Sequence, residues 1–419
     1  MADWLSSVSY GPIPGLLTEL RAAWPPRAAA ETSGYTTTDL GAAEPIAVLG
    51  LTDRLAVAIA ARPEGSFAAV PVVRDDPWRQ AIAGDGLSAF VAGLPLASER
   101  SIGTDQTNES IVVGERVIVK WFRIVGPQPS RAPIVAAHLE SIGFRETPRP
   151  LGTVDWLAPT GEALTLAQGD AYLAGARDGW DWCVERLERH VAHESAPCPA
   201  DCDPWIGGRL GLLVARLHAA LRQPSAVITE PAGVADGSDV RRWHAAAIST
   251  LDEALRLSEA DPSGRELLAA VGPGMRADID RLVACESIAI QPVHGDLHVG
   301  QVLEWPGGLA VIDFDGNPAL AAAANELRQP AERDIAQMAS SLDHVGRIVD
   351  ERTTGSRHQI VDEWVARTRG EFVAELDADR ALLAAFEVEQ ECRELIYAAR
   401  FLPRWRYAPL ATLRARYRG

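Results

Sequence analysis

Residues 291–318 run QPVHGDLHVGQVLEWPGGLAVIDFDGNP, and their reading decides the fold. Two strand-like runs, around Val302 and over Leu309–Ile312, flank the turn Pro306-Gly307-Gly308. That alternation of apolar run, turn and apolar run predicts a β-hairpin. Its open end would gather Asp296, Gln301 and Asp313. A carboxylate, an amide five residues on and a second carboxylate after a strand are the groups that phosphoryl transfer from ATP requires. One carboxylate orients and deprotonates the attacking hydroxyl. The amide oxygen and the other carboxylate hold Mg²⁺ on the β- and γ-phosphates.

The same chemistry needs a cation on the α- and β-phosphates. Lys120 is the only lysine among 40 basic residues, and it closes the β-branched run Val117-Ile118-Val119. Arginine offers a planar fork, whereas lysine offers a compact point charge on a flexible stem. A strand lysine kept in so arginine-rich a chain fits the phosphate anchor.

Working outward, composition narrows the class. Of 419 residues 47% are hydrophobic and 23% charged, as in an ordinary globular protein of two or three domains. A formal charge of −17 argues against a nucleic-acid or anionic-membrane surface. Five dispersed cysteines (Cys183, Cys198, Cys202, Cys285 and Cys392) suggest no disulfide framework, and His190 and His193 are too loosely spaced from Cys198 and Cys202 to read as zinc ligands. The N-terminal stretch lacks a signal-type core, and no segment is long and charge-free enough to span a bilayer. A cytoplasmic protein is expected, most simply a monomer.

Three regions are expected. Residues 1–95 mix short apolar runs such as Leu55–Ala61 and Phe67–Val73 with turn signals, a small α+β cap subdomain. Residues 96–173 form a β-rich lobe, with Ile111–Val113 and Arg116–Trp121 joined at Gly114-Glu115, a helix over Ile134–Ile142 and a strand over Leu164–Leu173. Residues 174–419 are mostly helical, over Trp180–His190, Gly208–Leu221, Val240–Leu257, Pro330–Val349 and Ala378–Phe401. A β-rich lobe followed by a helical one is the two-lobed arrangement that holds a ligand between lobes.

The motifs HGDLHVGQ and DFDGNP resemble the catalytic and metal motifs of the aminoglycoside phosphotransferase superfamily, which is similar to protein kinases. Within it the chain looks most like maltokinases and bacterial glucosamine kinases. Thr107-Asn108-Glu109-Ser110, Ala176-Arg177-Asp178-Gly179-Trp180, Leu217-His218 and the tail from Ala385-Phe386-Glu387 to Pro403-Arg404-Trp405 carry the closer likeness, which spans nearly the whole chain. The resemblance implies a bilobal α+β kinase-like fold using ATP and Mg²⁺. It makes Asp296 the base, Lys120 the phosphate anchor, and Gln301 and Asp313 the metal ligands. The family more often has Asn at Gln301, and the extra methylene moves the amide by about 1.5 Å. Glu140 is the candidate partner of the strand lysine, with His138 as the alternative, and Arg333-Asp334 is expected to brace the catalytic loop. Thr107, Asn108 and Ser110, in a loop covering the phosphates, and Ala171 and Leu173, at the end of the strand before the connector, are further nucleotide contacts.

The acceptor is read from the C-terminal helix. Glu387, Glu391 and Glu394 share one face, with Glu389 turned away. Their mutual repulsion calls for a cation, supplied either by Arg393 or Arg400 or by an ammonium group on the substrate. Maltokinase-like FE-x-DKA-x-YE has a lysine and a small residue where this chain has Gln390 and Glu391, and DFEGEP where it has DFDGNP. Both departures fit an amino sugar, so the expected reaction is phosphorylation of D-glucosamine to glucosamine 6-phosphate. Asp315 is a contact for the acceptor or a second metal, and Trp405 either stacks on the sugar or packs in the core. Maltose, a larger aminoglycoside, or a non-catalytic kinase-like module are the alternatives.

Overall fold

In this computed structural model the described residues are 8–9, 14–26, 40, 42–75, 77–91, 98–102, 108–193, 199, 202–259, 261–285, 287–317 and 327–417. They divide into two compact units, residues 1–140 with 147–175 and residues 141–146 with 176–419.

The first unit contains β1 (Val8–Ser9), α1 (Pro14–Ala22), β2 (Glu44–Gly50), β3 (Leu55–Ala61), β4 (Phe67–Val73), β5 (Arg79–Gln80), β6 (Glu99–Ser101), β7 (Glu109–Val113), β8 (Val117–Trp121), β9 (Ile124–Val125), α2 (Arg131–Ser141), β10 (Pro150–Leu157) and β11 (Ala163–Ala171). Strands β2-β3-β4-β5, with β9 against β4, make one sheet; β1-β10-β11-β8-β7-β6 make the other. β3 shows how sequence sets the packing. Its period-two alternation puts Leu55, Val57 and Ile59 into a core shared with β7, β8, β10 and β11, while Ala56, Ala58 and Ala60 face a second core with Leu20 of α1. Small side chains on that face leave room for a helix.

The break expected near residue 95 is crossed by this packing. Leu87 and Phe90 share one core with Trp121 and Leu166, and β9 returns from beyond the lysine strand to pair with β4. Regions 1–95 and 96–173 therefore lie in one unit, whose further border is at Gly175/Ala176.

In β8 the burial alternates, with Val117, Val119 and Trp121 in the core and Ile118 and Lys120 on the opposite face. Gly114 and Glu115 both have positive φ, 55° and 53°, the tight hairpin turn expected there.

The second unit contains α3 (Gly179–Val191), α4 (Gly207–Leu221), β12 (Gly233–Ala235), α5 (Gly237–Ser258), α6 (Pro262–Asp280), β13 (Ile288–Pro292), β14 (Val302–Trp305), β15 (Gly308–Val311), β16 (Arg328–Gln329), α7 (Glu332–Arg352), α8 (His358–Ala374), α9 (Arg380–Arg400) and α10 (Tyr407–Arg416). α7 is buried along most of its length and packs on α3, α8, α9 and α10. No described helix is long and apolar enough to cross a membrane.

Candidate active site

The hairpin forms as read, with Val302 opposite Val311 and Trp305 opposite Gly308. At its open end the Ile312 N–H donates to the Gln301 carbonyl at 3.0 Å, which places Gln301 across the hairpin from the residue before Asp313. Asp313 then turns with φ 67°, a left-handed conformation that redirects the chain. An amide oxygen and a carboxylate at one hairpin end are hard oxygen donors of the kind that would suit a divalent cation.

Asp296 lies in the loop between β13 and a 3₁₀ turn, Val299–Gln301. Outside any sheet, the loop's buried N–H groups need partners, and α7 supplies them. Asp334 accepts from His294 N–H and Gly295 N–H, both at 2.8 Å; Gln337 from Leu297 N–H at 3.0 Å; Ser341 from Val299 N–H at 3.0 Å. Asp334 is fully buried and also takes the His218 Nε2–H at 3.0 Å. Burial would raise its pKa, but His218, His294 and the loop amide hold it below the ordinary value. The brace expected of Arg333-Asp334 is thus Asp334; Arg333 instead packs on Phe386 and pairs with Glu389 at 3.0 Å.

α3 backs the loop from another side. A Cβ on Gly179 would lie 1.6 Å from the Val299 carbonyl oxygen, so only glycine admits this approach. Fully buried His294 donates from Nε2 to the Ile312 carbonyl at 2.8 Å and accepts Asp296 N–H at Nδ1, 3.3 Å. It therefore ties the loop that carries Asp296 to the strand that leads into Asp313 as a neutral imidazole, its pKa lowered by burial. His298 caps the 3₁₀ turn by accepting Gly300 N–H at 3.1 Å. Both histidines are thus loop fasteners.

Asp296 Oδ1 accepts from Asn317 Nδ2 at 3.0 Å and, longer, from Gln337 Nε2 at 3.4 Å. Burial pushes its pKa up to about 6, with His294 opposing and Asp313 and Glu394 adding to the rise. A carboxylate of that pKa is matched to accepting a proton near neutrality.

In the first unit Lys120 pairs across the sheet with Gln168 of β11 and Ser110 of β7, and its Nζ lies 5.7 Å from the Phe122 ring. Ser110 is buried, and Asn108 Oδ1 accepts Arg123 N–H at 3.4 Å. Glu140 is partly buried on α2, where His138 is fully buried. Ala171 ends β11 and Leu173 follows it, both partly exposed. Thr107 lies outside the described residues.

The acidic trio of α9 separates into three environments. Glu387, 6% exposed, is held by Arg369 and Arg416, which already balance its charge inside the protein. Glu391, 2% exposed, accepts from His344 Nε2 at 3.1 Å. Glu394 is partly exposed and takes neutral donors, Gln390 Nε2 and Trp405 Nε1, each at 3.0 Å. The cations expected from Arg393 and Arg400 go elsewhere: Arg393 pairs with Glu389 and Arg400 with Glu253. Trp405 meets Trp180 edge-on, with centroids 6.2 Å apart, and Trp180 in turn lies 5.9 Å from His298. Asp315 is partly buried in the turn after Asp313. Sequence reading missed Gln337, Ser341 and His344; the signal for the first two was the polar stripe Asp334, Gln337, Ser341 on an apolar helix.

A braced carboxylate and two oxygen donors at a hairpin end in one unit, and a strand lysine in the β-rich other unit, are the residue types that an ATP-dependent phosphotransferase of kinase-like fold requires. No protein-family model matches the chain. It is 37% identical over 404 residues to the glucosamine kinase of Streptacidiphilus jiangxiensis, covering 87% of this chain and 89% of that protein. It is 37% identical over 381 residues to the glucosamine kinase of Mycolicibacterium smegmatis, covering 83% and 92%. A solved glucosamine kinase in complex with glucosamine, ADP and inorganic phosphate superposes with a TM-score of 0.77 at 35% identity, over 88% of this chain and 94% of that one. The chain belongs to the glucosamine kinase family.

Proposed function

We propose that this enzyme transfers the γ-phosphoryl group of ATP to the 6-hydroxyl of D-glucosamine in the cytoplasm. The carrying observation is Asp296, braced through its loop by α7 and sharing its electrostatic field with Glu394. The Asp296 carboxylate orients the acceptor hydroxyl and takes its proton as the oxygen attacks phosphorus. Asn317 occupies Oδ1, which leaves Oδ2 to face the hydroxyl. Gln301 and Asp313 would hold Mg²⁺, which when bound neutralises the developing charge on the phosphates. Lys120 grips the α- and β-phosphates as a point charge, with Glu140 orienting it and Thr107, Asn108, Ser110, Ala171 and Leu173 as nucleotide contacts.

Glu394 receives the sugar's ammonium group, and Trp405 and Trp180 form an aromatic wall beside it. Asp315 is retained as a contact for the acceptor or a second cation. Glu391, sealed behind His344, acts at one remove from the substrate. A sugar panel with an ATP-consumption readout tests the assignment. Glucosamine should give the highest kcat/KM, and faster turnover of maltose or kanamycin would overturn it.

A further inference from the structure

Glu391 and Glu394 stand one helical turn apart on α9, and each is tied to a member of one aromatic contact. His344 of α7, 3% exposed, donates from Nε2 to Glu391 Oε2 at 3.1 Å. The same imidazole stands at 83° to the Trp405 indole, with centroids 5.4 Å apart. The Trp405 Nε1–H donates to Glu394 Oε2 at 3.0 Å, which closes a circuit of four side chains.

Trp405 sits in a single 3₁₀ turn, Pro403–Trp405, rather than within a long helix. Its indole is therefore oriented by what surrounds it: His344, Glu394, Trp180 and Tyr407. The buried pair is also an expensive way to fill space. Glu391 Oε1 is buried without a hydrogen-bond partner, and apolar residues of similar volume are often as stable as a buried ion pair.

We propose that His344 and Glu391 are positioning residues that fix the Trp405 indole and, through its N–H, the Glu394 carboxylate that receives the acceptor's amine. The proposal rests on the reading that Glu394 and Trp405 line the acceptor site. His344 is held as a cation in this geometry: burial alone would lower its pKa, but Glu391, with Glu394 and Asp343, outweighs it and raises it to about 9.

The test uses the full chain labelled with 5-fluorotryptophan and no substrate, the Trp405 fluorine line being assigned from Trp405→Phe. His344→Gln keeps a donor but loses the ring; Glu391→Gln keeps the shape but loses the charge. Both should move or broaden the Trp405 line. Both should also raise the KM for glucosamine by about tenfold while the KM for ATP changes less than about twofold. In the Trp405→Phe background, His344→Gln should add little further, because the two act as one unit. An unmoved Trp405 line, or equal effects on both KM values, would overturn the proposal. Should His344→Gln not fold, the near-isosteric Glu391→Gln still decides it. If the wild-type enzyme makes no glucosamine phosphate, the functional reading fails, while the fluorine line, which needs no substrate, still reports on positioning.

Discussion

Replacing Asp296 with Asn should abolish turnover and make the protein more stable at neutral pH. In the folded chain burial raises the Asp296 pKa from 3.8 to about 6. The folded state thus binds this proton more tightly than the unfolded chain, and the ionised carboxylate is destabilising. That cost is complete above about pH 6 and fades as the pH falls toward 3.8. At 1.36 kcal/mol per pKa unit the shift is worth about 3 kcal/mol, and partial solvent screening reduces this to about 2 kcal/mol. Asparagine has nearly the same shape, and its oxygen can still accept the Asn317 amide that now lies at 3.0 Å. Asp296→Asn should therefore gain about 2 kcal/mol at pH 7.5 and about half that at pH 5. Urea denaturation without nucleotide or metal, at both pH values, reads the difference through the midpoint. Turnover should fall by orders of magnitude with ATP affinity nearly unchanged. An unchanged or lowered midpoint at pH 7.5, or a gain independent of pH, would refute the electrostatic reasoning, and full activity would remove Asp296 as the base.

The acid limb of kcat/KM should bend near pH 6 and fall tenfold per pH unit below it, since only the ionised Asp296 accepts a proton; a flat profile to pH 5 contradicts the assignment. Amine-directed labelling can modify only Lys120 and the N-terminal amine, so peptide mapping should find Lys120 protected by ATP, and equal labelling with and without ATP counts against the phosphate anchor. Gly179→Ala drives a Cβ toward the Val299 carbonyl, 1.6 Å away, and should cost at least about 3 kcal/mol by urea melt or give insoluble protein. Asp334→Ala strips three donors of a buried acceptor and should cost about 3–5 kcal/mol, measured the same way.

What was legible in the chain was local. The β14–β15 hairpin, the Gly114-Glu115 turn and the lysine strand follow from period-two patterning and turn chemistry within a few residues. α6 was not legible, because Gly272-Pro273-Gly274 reads as a turn, yet the helix runs through it with Leu268, Met275 and Ile279 buried. Tertiary burial there outweighs propensity. The core shared across residue 95 was not legible for a related reason: packing built from both sides of a position leaves no composition signal along the chain.

The acidic helix shows the limit most clearly. Spacing alone put Glu387, Glu391 and Glu394 on one face, a statement about one helix. Which of them faces a substrate depends on what other elements bring to that face, and these bring Arg369 and Arg416 to the first, His344 to the second and Trp405 to the third. The sequence by itself determined the reaction class, because Asp296, Gln301, Asp313 and Lys120 sit in short motifs whose chemistry is carried by residue type and spacing. Only the tertiary structure decided which carboxylates are neutralised internally and how the catalytic loop is held, because burial and partnership are made by residues distant in the chain.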